Sequence, residues 1–318
     1  MDYLVGIDIG GTTVKMGILY LNGDFVHKWE IKTNTEDHGS HILEDIAESL
    51  LKTLKEKNIA FTNVVGIGFG VPGPVKDNIV IRCVNLGWEN LDIRKEFAKL
   101  IPEQVDIVAG NDANMAAFGE ASKGHDASGD AIVITLGTGV GGGVIIGGKP
   151  IDGANGAAGE LGHMKIDWKY NFKCNCGREG CLETVASATG VVRIAKEKLK
   201  HEQSALTSLP HLGCKEIYDC ALEGDKVANE VVEEVGYYLG YACSLLAVTL
   251  NPDCIYLGGG VSKSGKQLTD VVEKYFKKYA FFATQNTKIR LAKLGNDSGM
   301  VGAALLALKN HNETEQKY

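Results

Sequence analysis

The sequence predicts an α/β protein with two domains, and three observations lead to this prediction. The chain has 318 residues, which is long for a single hydrophobic core. Short apolar segments typical of strands alternate with segments whose apolar residues recur at helical spacing. An apolar strand, a Gly/Thr turn and an apolar return strand occur twice, in residues 4–23 and 130–151. This repetition indicates an internal duplication.

The first half is predicted to begin with three strands. YLVGIDI leads through GGTT to VKMGILYL, Asn22-Gly23 is a strong hairpin signal, and DFVHKWEIKT follows. Helical spacing in residues 40–57 predicts a helix. Then come the strand VVGIGFGV, a Pro-Gly-Pro loop, a short helix near residues 90–101, and the strand VDIVAG, which enters another helix.

The second half repeats the strand, glycine turn and strand, and a helix-rich part follows from about residue 184. PDCIYLGGGVSKSG reads as a strand, a glycine loop and a helix start, and residues 298–310 read as a helix. No low-complexity linker is present, so we expect two closely packed domains with a cleft between them. The predicted domains are residues 1–113 with 303–318, and residues 114–302.

Charge and composition argue against several classes of protein. The formal net charge is −7 at pH 7 and no run is dense in Lys or Arg, which argues against nucleic acid as the main partner. The first residues lack the features of a signal peptide, and the longest apolar run, residues 242–250, is too short to span a bilayer. We therefore expect a cytoplasmic protein that binds neither nucleic acid nor a membrane.

Two glycine turns are candidate phosphate sites. In DIGGTTVK, backbone N–H groups of Gly10 and Gly11 and the hydroxyls of Thr12 and Thr13 could converge on an anion, and Lys15 could add charge. A second such turn contains Gly137, Thr138 and Gly139. Tight hairpins also use glycine for steric reasons alone, and neither turn is a P-loop. The presence of one turn in each half favours phosphate binding.

A third glycine loop, GGGVS, contains Gly259 and Gly260 and follows an apolar strand. The loop could be a simple strand-to-helix turn, or a backbone surface against which an adenosine lies. The residues favour neither interpretation.

The motif GND, with Asn111 and Asp112, lies where a strand ends and a helix begins. Either residue could be a helix N-cap. The same position would also favour an ionised carboxylate that can accept a hydroxyl proton, as phosphoryl transfer requires. Asp8, at the end of the first strand, is the candidate for orienting Mg²⁺ through water.

Eight cysteines are present, and five of them stand apart in the sequence. These five are expected to be small buried hydrophobic residues: Cys83, Cys214, Cys220, Cys243 and Cys254. The other three lie together in FKCNCGREGCLE, residues 172–183. Their C-x-C-x4-C spacing is not that of a redox C-x-x-C pair, and a Cys-x-Cys disulfide would be strained.

Cys174, Cys176 and Cys181, with His163 eleven residues before the first of them, form a Cys₃His set. Four protein ligands complete a zinc tetrahedron, so such a Zn²⁺ would be structural. Three reduced surface thiols are the alternative, which is disfavoured because clustered exposed thiols oxidise readily.

Two acids flank this cysteine loop in the sequence. Glu160 lies three residues before His163, and Glu183 two residues after Cys181. Carboxylates accept hydrogen bonds from hydroxyl groups, so the pair suits a polyol ligand; each glutamate alone could equally be a solvated surface residue.

Together, DIGGTTVK, GND, TLGTGVGGG, GELGHM and CNCGREGCLE resemble the ROK family of sugar kinases and repressors, most closely its bacterial glucokinase branch. The resemblance runs from residue 4 to about 305. It implies an actin/hexokinase-like (ribonuclease H-like) ATPase fold, with ATP and sugar in an interdomain cleft and with Mg²⁺ and structural Zn²⁺ as cofactors. It also implies a homo-oligomer, either a dimer or a tetramer.

The resemblance also implies a role for each matching residue. Asp112 would deprotonate the sugar 6-hydroxyl, beside Asn111. Glu160, His163 and Glu183 would bind ring hydroxyls, with the second nitrogen of His163 on zinc. The remaining matches concern ATP: Gly10 to Thr13 and Gly137 to Gly139 would cradle phosphates, and Gly259 and Gly260 would lie near the adenosine.

The expected activity is ATP-dependent phosphorylation of glucose to glucose 6-phosphate. Fructose, mannose, allose, N-acetylglucosamine and N-acetylmannosamine remain open as substrates, and polyphosphate as a donor. A sugar-sensing repressor is disfavoured, because DIGGTT begins at Asp8 and leaves no room for an N-terminal helix-turn-helix. An actin-like or chaperone ATPase without sugar chemistry is disfavoured by the cysteine loop and its flanking acids.

Overall fold

The structure is a computed structural model that describes residues 1–123 and 129–316. The predicted domain ranges also include residues 124–128 and 317–318, which lie outside the described residues. The chain forms two compact units. Unit 1 comprises Met1–Ala127, Gly143–Gly159 and Asn296–Tyr318, and unit 2 comprises Ser128–Gly142 and Glu160–Gly295.

The strands, in chain order, are β1 (Tyr3–Ile9), β2 (Thr13–Tyr20), β3 (Phe25–Lys32), β4 (Val64–Val71), β5 (Val75–Lys76), β6 (Ile79–Cys83), β7 (Trp88–Asp92), β8 (Asp106–Asn111), β9 (Ala131–Leu136), β10 (Val140–Ile146), β11 (Lys149–Pro150), β12 (Cys254–Gly258) and β13 (Lys288–Leu291). The α-helices are α1 (Ile42–Glu56), α2 (Ile93–Phe97), α3 (Asp112–Lys123), α4 (Glu183–Ala186), α5 (Ala188–Lys198), α6 (Cys214–Leu222), α7 (Lys226–Leu250), α8 (Lys266–Tyr279) and α9 (Ser298–Glu315).

Unit 1 is built on a five-stranded sheet with the order β3-β2-β1-β4-β8. The first three strands pair antiparallel, whereas β1, β4 and β8 run parallel. The carboxyl ends of parallel strands meet at one edge of a sheet, which is where α/β proteins commonly bind ligands. The turn after β1, the Pro-Gly-Pro loop after β4 and the start of α3 after β8 therefore share one edge.

Helix α9 packs across β1 and β4 and also against α3. The approach to the sheet is close, because a Cβ at Gly68 would lie 1.9 Å from the carbonyl oxygen of Ala303. The small residues of SGMVGAALLALKN thus allow a helix to lie directly on two glycine-bearing strands. Because α3 packs on α9, α3 belongs to unit 1, whereas the sequence assigned residues 114–302 to the second domain.

A three-stranded sheet, β5-β6-β7, follows the Pro-Gly-Pro loop and was not predicted. Its strands are short, and several of their residues are exposed. Trp88 anchors the sheet, because its buried indole Nε1 donates a hydrogen bond of 3.0 Å to the carbonyl oxygen of Gly39.

In the second five-stranded sheet the order is β11-β10-β9-β12-β13, and β9, β12 and β13 run parallel. This order repeats that of the first sheet: third, second, first, fourth and fifth strand. The predicted duplication is therefore confirmed at the level of topology. Strand β10 passes from unit 2 into unit 1 after Gly142.

Helices α5, α6, α7 and α8 cover one large apolar core of unit 2. Helix α7, with 25 residues, is long and apolar enough to cross a bilayer by length and composition. Most of it is buried inside unit 2, as expected for the central helix of a core.

Candidate active site

The junction of β8 and α3 holds Asn111 and Asp112 in distinct positions. The Asn111 Oδ1 accepts hydrogen bonds from the backbone N–H of Ala113 (3.0 Å) and of Asn114 (3.1 Å). Its Nδ2 donates to the carbonyl oxygen of Gly73 (3.0 Å), in the Pro-Gly-Pro loop. Asn111 is therefore the residue that caps α3 and fastens it to the neighbouring loop.

Asp112 is the first residue of α3 and is half-buried. One carboxylate oxygen, Oδ1, accepts a hydrogen bond of 2.8 Å from the N–H of Ala113. Because Asn111 already caps the helix, the carboxylate of Asp112 is not needed for that role. The positive end of the helix favours its negative charge, so the residue is suited to accept a proton.

The first glycine turn joins β1 to β2 at the same sheet edge. Its backbone closes through a hydrogen bond from the N–H of Gly10 to the carbonyl oxygen of Thr13 (2.9 Å). Gly11 and Thr12 are exposed there. The turn thus presents backbone to an incoming ligand.

Asp8, just before this turn, pairs across the strands with Lys15. Burial raises the pKa of the Asp8 carboxyl, and the charge of Lys15 only partly offsets this. A Cβ at Gly299 would lie 2.9–3.2 Å from the carboxyl atoms, so glycine leaves that side open. A half-buried carboxylate whose charge is only partly offset by Lys15 fits a Mg²⁺ that is held by one carboxylate, waters and phosphate oxygens.

The second glycine turn joins β9 to β10 in unit 2 and contacts the carboxylate of Glu183. Its backbone closes through the N–H of Gly137 and the carbonyl oxygen of Gly139 (2.9 Å). The Oε2 of Glu183 accepts a hydrogen bond of 3.1 Å from the N–H of Val140. A Cβ at Gly139 would lie 2.3 Å from this Oε2, so only glycine permits the close approach.

The third glycine loop follows β12. Gly259 and Gly260 are both exposed, but a Cβ at Gly259 would lie 2.6 Å from the carbonyl oxygen of Leu136, whereas the nearest atom to a Cβ at Gly260 would be 4.0 Å away. The loop is thus both a strand-to-helix turn and an open backbone surface. Both interpretations of the sequence remain compatible with it.

Four predicted metal ligands converge in unit 2. The side-chain donor atoms of His163, Cys174, Cys176 and Cys181 all lie within 4.8 Å of one another. The Cys176 and Cys181 sulfurs are 3.7 Å apart, and the Cys174 sulfur is 3.7 Å from the His163 Nδ1. Ligands about 2.3 Å (sulfur) and 2.0 Å (nitrogen) from a tetrahedral Zn²⁺ would be about 3.5–3.8 Å apart. The donor set and its spacing therefore fit zinc.

The loop that carries the cysteines is folded by its glycines and by a buried acid. Gly177 and Gly180 have positive φ angles of 86° and 73°. Asp167 is fully buried, and its carboxylate accepts hydrogen bonds from the N–H groups of Lys169, Tyr170 and Phe172. Sequence reasoning missed Asp167, although aspartate is a common turn former because its side chain accepts hydrogen bonds from backbone N–H groups a few residues ahead.

Cys176 is the exposed member of the cluster. The backbone N–H and the side chain of Arg178 lower the pKa of the Cys176 thiol to about 6. The thiolate is the form that binds metals. Arg178 therefore stabilises the exposed ligand in its metal-binding form.

The candidate sugar ligands Glu160, His163 and Glu183 belong to the cysteine cluster or lie next to it. While His163 Nδ1 faces Cys174, its Nε2 lies 3.8 Å from the Oε2 of Glu160. The Oε1 of Glu183 lies 3.6 Å from the Cys174 sulfur. The structure thus brings Glu160, His163 and Glu183 together in unit 2, whereas Asp8, Asn111 and Asp112 lie in unit 1.

Comparison with known proteins gives one consistent family. Residues 4–310 match the ROK family. The chain is 40% identical over 323 residues to a glucokinase of Halalkalibacterium halodurans, covering 99% of this chain and 97% of that protein. It is 32% identical to a glucokinase of Thermotoga maritima, covering 95% and 96%.

Among solved structures, a ROK family glucokinase from Streptomyces griseus, in complex with glucose and AMPPNP, matches with a TM-score of 0.71 and 29% identity. The match covers 97% of this chain and all of that one. The predicted α/β fold class of the actin/hexokinase-like sugar kinases is thereby confirmed. By the extent of both the sequence match and the structural match, the chain belongs to the ROK family.

Proposed function

We propose that the protein transfers the γ-phosphoryl group of ATP to the 6-hydroxyl of glucose. The observation that carries the proposal is the Asp112 carboxylate, which is half-buried at the start of α3 while Asn111 satisfies the helix end. Membership of a family that contains glucokinases supports the choice of substrate. Phosphoryl transfer needs a positioned base and donors for phosphate charge, and the described residues include candidates for both.

In this reaction Asp112 accepts the proton of the 6-hydroxyl. The sugar oxygen then forms a bond to the γ-phosphorus as the bond from phosphorus to the bridging oxygen of ADP breaks. The N–H groups of the two glycine turns donate hydrogen bonds to phosphate oxygens, and Lys15 adds positive charge. Mg²⁺ held near Asp8 would neutralise phosphate charge.

When the histidine and the two glutamates bind the ring hydroxyls, each of them can act only as a hydrogen-bond donor or only as an acceptor. If His163 Nδ1 binds zinc, the neutral imidazole must carry its proton on Nε2, so it donates to a hydroxyl oxygen. The carboxylates of Glu160 and Glu183 can only accept hydrogen bonds from hydroxyl groups. One donor and two acceptors beside the same cysteine cluster suit adjacent hydroxyls of a sugar ring.

We assign a structural role to a zinc ion on His163, Cys174, Cys176 and Cys181, since four protein ligands leave no open position. Gly259 and Gly260 are proposed to lie near the adenosine. A cytoplasmic location remains a prediction from the composition of the sequence, and a homodimer or homotetramer remains a prediction from the family resemblance.

An ADP-release assay with Mg-ATP over a panel of sugars tests the function. The panel contains glucose, fructose, mannose, N-acetylglucosamine and N-acetylmannosamine, and kcat/KM is compared. We expect glucose to lead by at least about tenfold, or about 1.4 kcal/mol in transition-state binding. A leading N-acetylated sugar would overturn the choice of glucose. No turnover of any sugar with ATP, and no sugar phosphate formed with polyphosphate when the product is measured directly, would overturn the kinase assignment.

A further inference from the structure

Both glycine turns are held by hydrogen bonds to their carbonyl groups, and each set includes a threonine hydroxyl. In unit 1, Thr33 lies just after β3 and is 4% exposed. Its Oγ1 donates to the carbonyl oxygen of Gly10 (2.7 Å), and its N–H donates to that of Thr12 (3.0 Å). One residue therefore fixes two carbonyl groups of the first turn.

In unit 2, two residues in the first turn of α5 fix two carbonyl groups of the second glycine turn. The N–H of Ala188 donates to the carbonyl oxygen of Gly137 (2.8 Å), and the Thr189 Oγ1 donates to that of Thr138 (2.9 Å). Since the single hydroxyl proton of Thr189 is used there, Thr189 must accept the 2.9 Å hydrogen bond that joins it to Ser187. Ser187, which caps α5 and is fully buried, thereby fixes the Thr189 rotamer.

Fixing a carbonyl group also fixes the N–H of the same peptide plane. The described peptides are trans, and in a trans peptide the N–H points opposite to the C=O. The N–H groups of Gly11, Thr138 and Gly139 therefore point away from the anchoring residues. Within residues 1–123 and 129–316 none of these three N–H groups has a hydrogen-bond acceptor.

We propose that Thr33 and Thr189 are positioning residues for the phosphates of the donor nucleotide, each acting by orienting the N–H groups of one glycine turn. This inference rests on the proposed assignment of the two turns to ATP. Neither threonine needs to touch the nucleotide, because each acts through the backbone of its turn.

The origin of the two anchors supports a role in ligand binding beyond hairpin stability. Both turns belong to the duplicated strand–turn–strand motif. The residues that bond to them are not duplicated, since Thr33 follows a strand whereas Thr189 lies in a helix. Two unrelated segments thus each donate hydrogen bonds to two carbonyl groups of one turn. In both turns one of these carbonyl groups belongs to the residue that follows the first strand, Gly10 or Gly137.

The test uses valine, which keeps the shape of threonine and removes its hydroxyl. For Thr33→Val and Thr189→Val we expect the Kd for Mg-ADP, measured by calorimetry on the whole protein, to rise about tenfold, the size of one lost hydrogen bond to a charged group. The KM for ATP should rise similarly, and the KM for glucose should not change. Serine at either position should restore nucleotide affinity.

Two threonines that make the same kind of bond away from the turns serve as controls. Thr53, 7% exposed, donates to the carbonyl oxygen of Ser49 (2.8 Å) and matches Thr33. Thr249, exposed, donates to that of Leu245 (2.7 Å) and matches Thr189. Thr53→Val and Thr249→Val should leave the Kd for Mg-ADP unchanged.

The inference is overturned if Thr33→Val and Thr189→Val lower the melting temperature as their controls do and leave nucleotide affinity intact. It is also overturned if serine fails to restore affinity. If the wild-type protein binds Mg-ADP but phosphorylates no sugar, the proposed function fails, while the binding comparison among the threonine variants still decides this inference.

Discussion

At the scale of single residues, the structure shows which residue of the GND motif is the helix cap, whereas the sequence allowed either Asn111 or Asp112. Asn111 caps α3, and the Asp112 carboxylate makes one hydrogen bond to the backbone at the helix start. For Asp112→Asn we therefore expect normal folding and glucose binding, since the amide oxygen can accept the same hydrogen bond. The kcat should fall by about 10²–10⁴-fold, because the general base is lost. Steady-state kinetics with calorimetric glucose binding measures both.

Asp92→Asn is the matched control for this variant. Asp92 caps α2 in the same unit, where its Oδ1 accepts a hydrogen bond of 3.0 Å from the N–H of Lys95. Asparagine caps helices as well as aspartate does, so kcat should remain normal. A near-normal kcat for Asp112→Asn would exclude Asp112 as the base.

Several site residues could be predicted from the sequence because they lie close together in it, at a spacing that is typical of a known kind of site. The Cys₃His cluster is the clearest example: the cysteine spacing and one histidine sufficed to predict four donor atoms that the structure brings within 4.8 Å. Thr33 and Thr189 could not be predicted in this way. They act on backbone groups of other segments, and a hydroxyl bound to distant backbone leaves no pattern in the sequence.

At the scale of elements, the cysteine loop supports the residues that we propose as sugar ligands, because Glu183 and His163 both contact Cys174. Cys176→Ser should remove one ligand and release the metal, and metal binding contributes to the folding of such loops. We expect less than one zinc per chain by elemental analysis, a lower melting temperature and weaker glucose binding.

Cys214→Ser is the control, since Cys214 lies outside the cluster in α6. It should retain zinc, and its affinity for glucose should not change. Wild-type protein purified without chelators that contains no zinc would contradict the assignment of this metal.

The elements themselves were predicted unevenly, for physical reasons. Strands β1, β4, β9 and β12 are nearly fully buried and read as continuous apolar runs, which sequence patterns identify well. Strands β5, β6 and β7 are short and partly exposed, and Asn90 within β7 has a positive φ of 51°. Their pairing depends on contacts such as that of Trp88, which no local pattern encodes.

At the scale of the whole molecule, the repeated strand order of the two sheets shows that one topology serves both halves of the chain. The halves differ in what they add to it. Unit 1 adds Asn111 and Asp112 after β8, and unit 2 adds the cysteine loop with Glu160, His163 and Glu183. In the proposed reaction, the duplicated glycine turns bind the phosphates of the donor, and the unrepeated segments bind the acceptor sugar.

This division predicts how the sugar affects the stability of the whole chain. A ligand that binds only the folded state stabilises it by mass action, by about 2.7 kcal/mol at a concentration 100 times its Kd. Glucose should therefore raise the melting temperature in calorimetry, with a shift that grows with the logarithm of its concentration. L-glucose, which has the same composition and opposite handedness, should give no shift. Glu160→Gln removes an exposed carboxylate from the proposed sugar ligands. It should reduce the shift that glucose causes without lowering the melting temperature of the free protein. An undiminished shift would show that the sugar binds elsewhere.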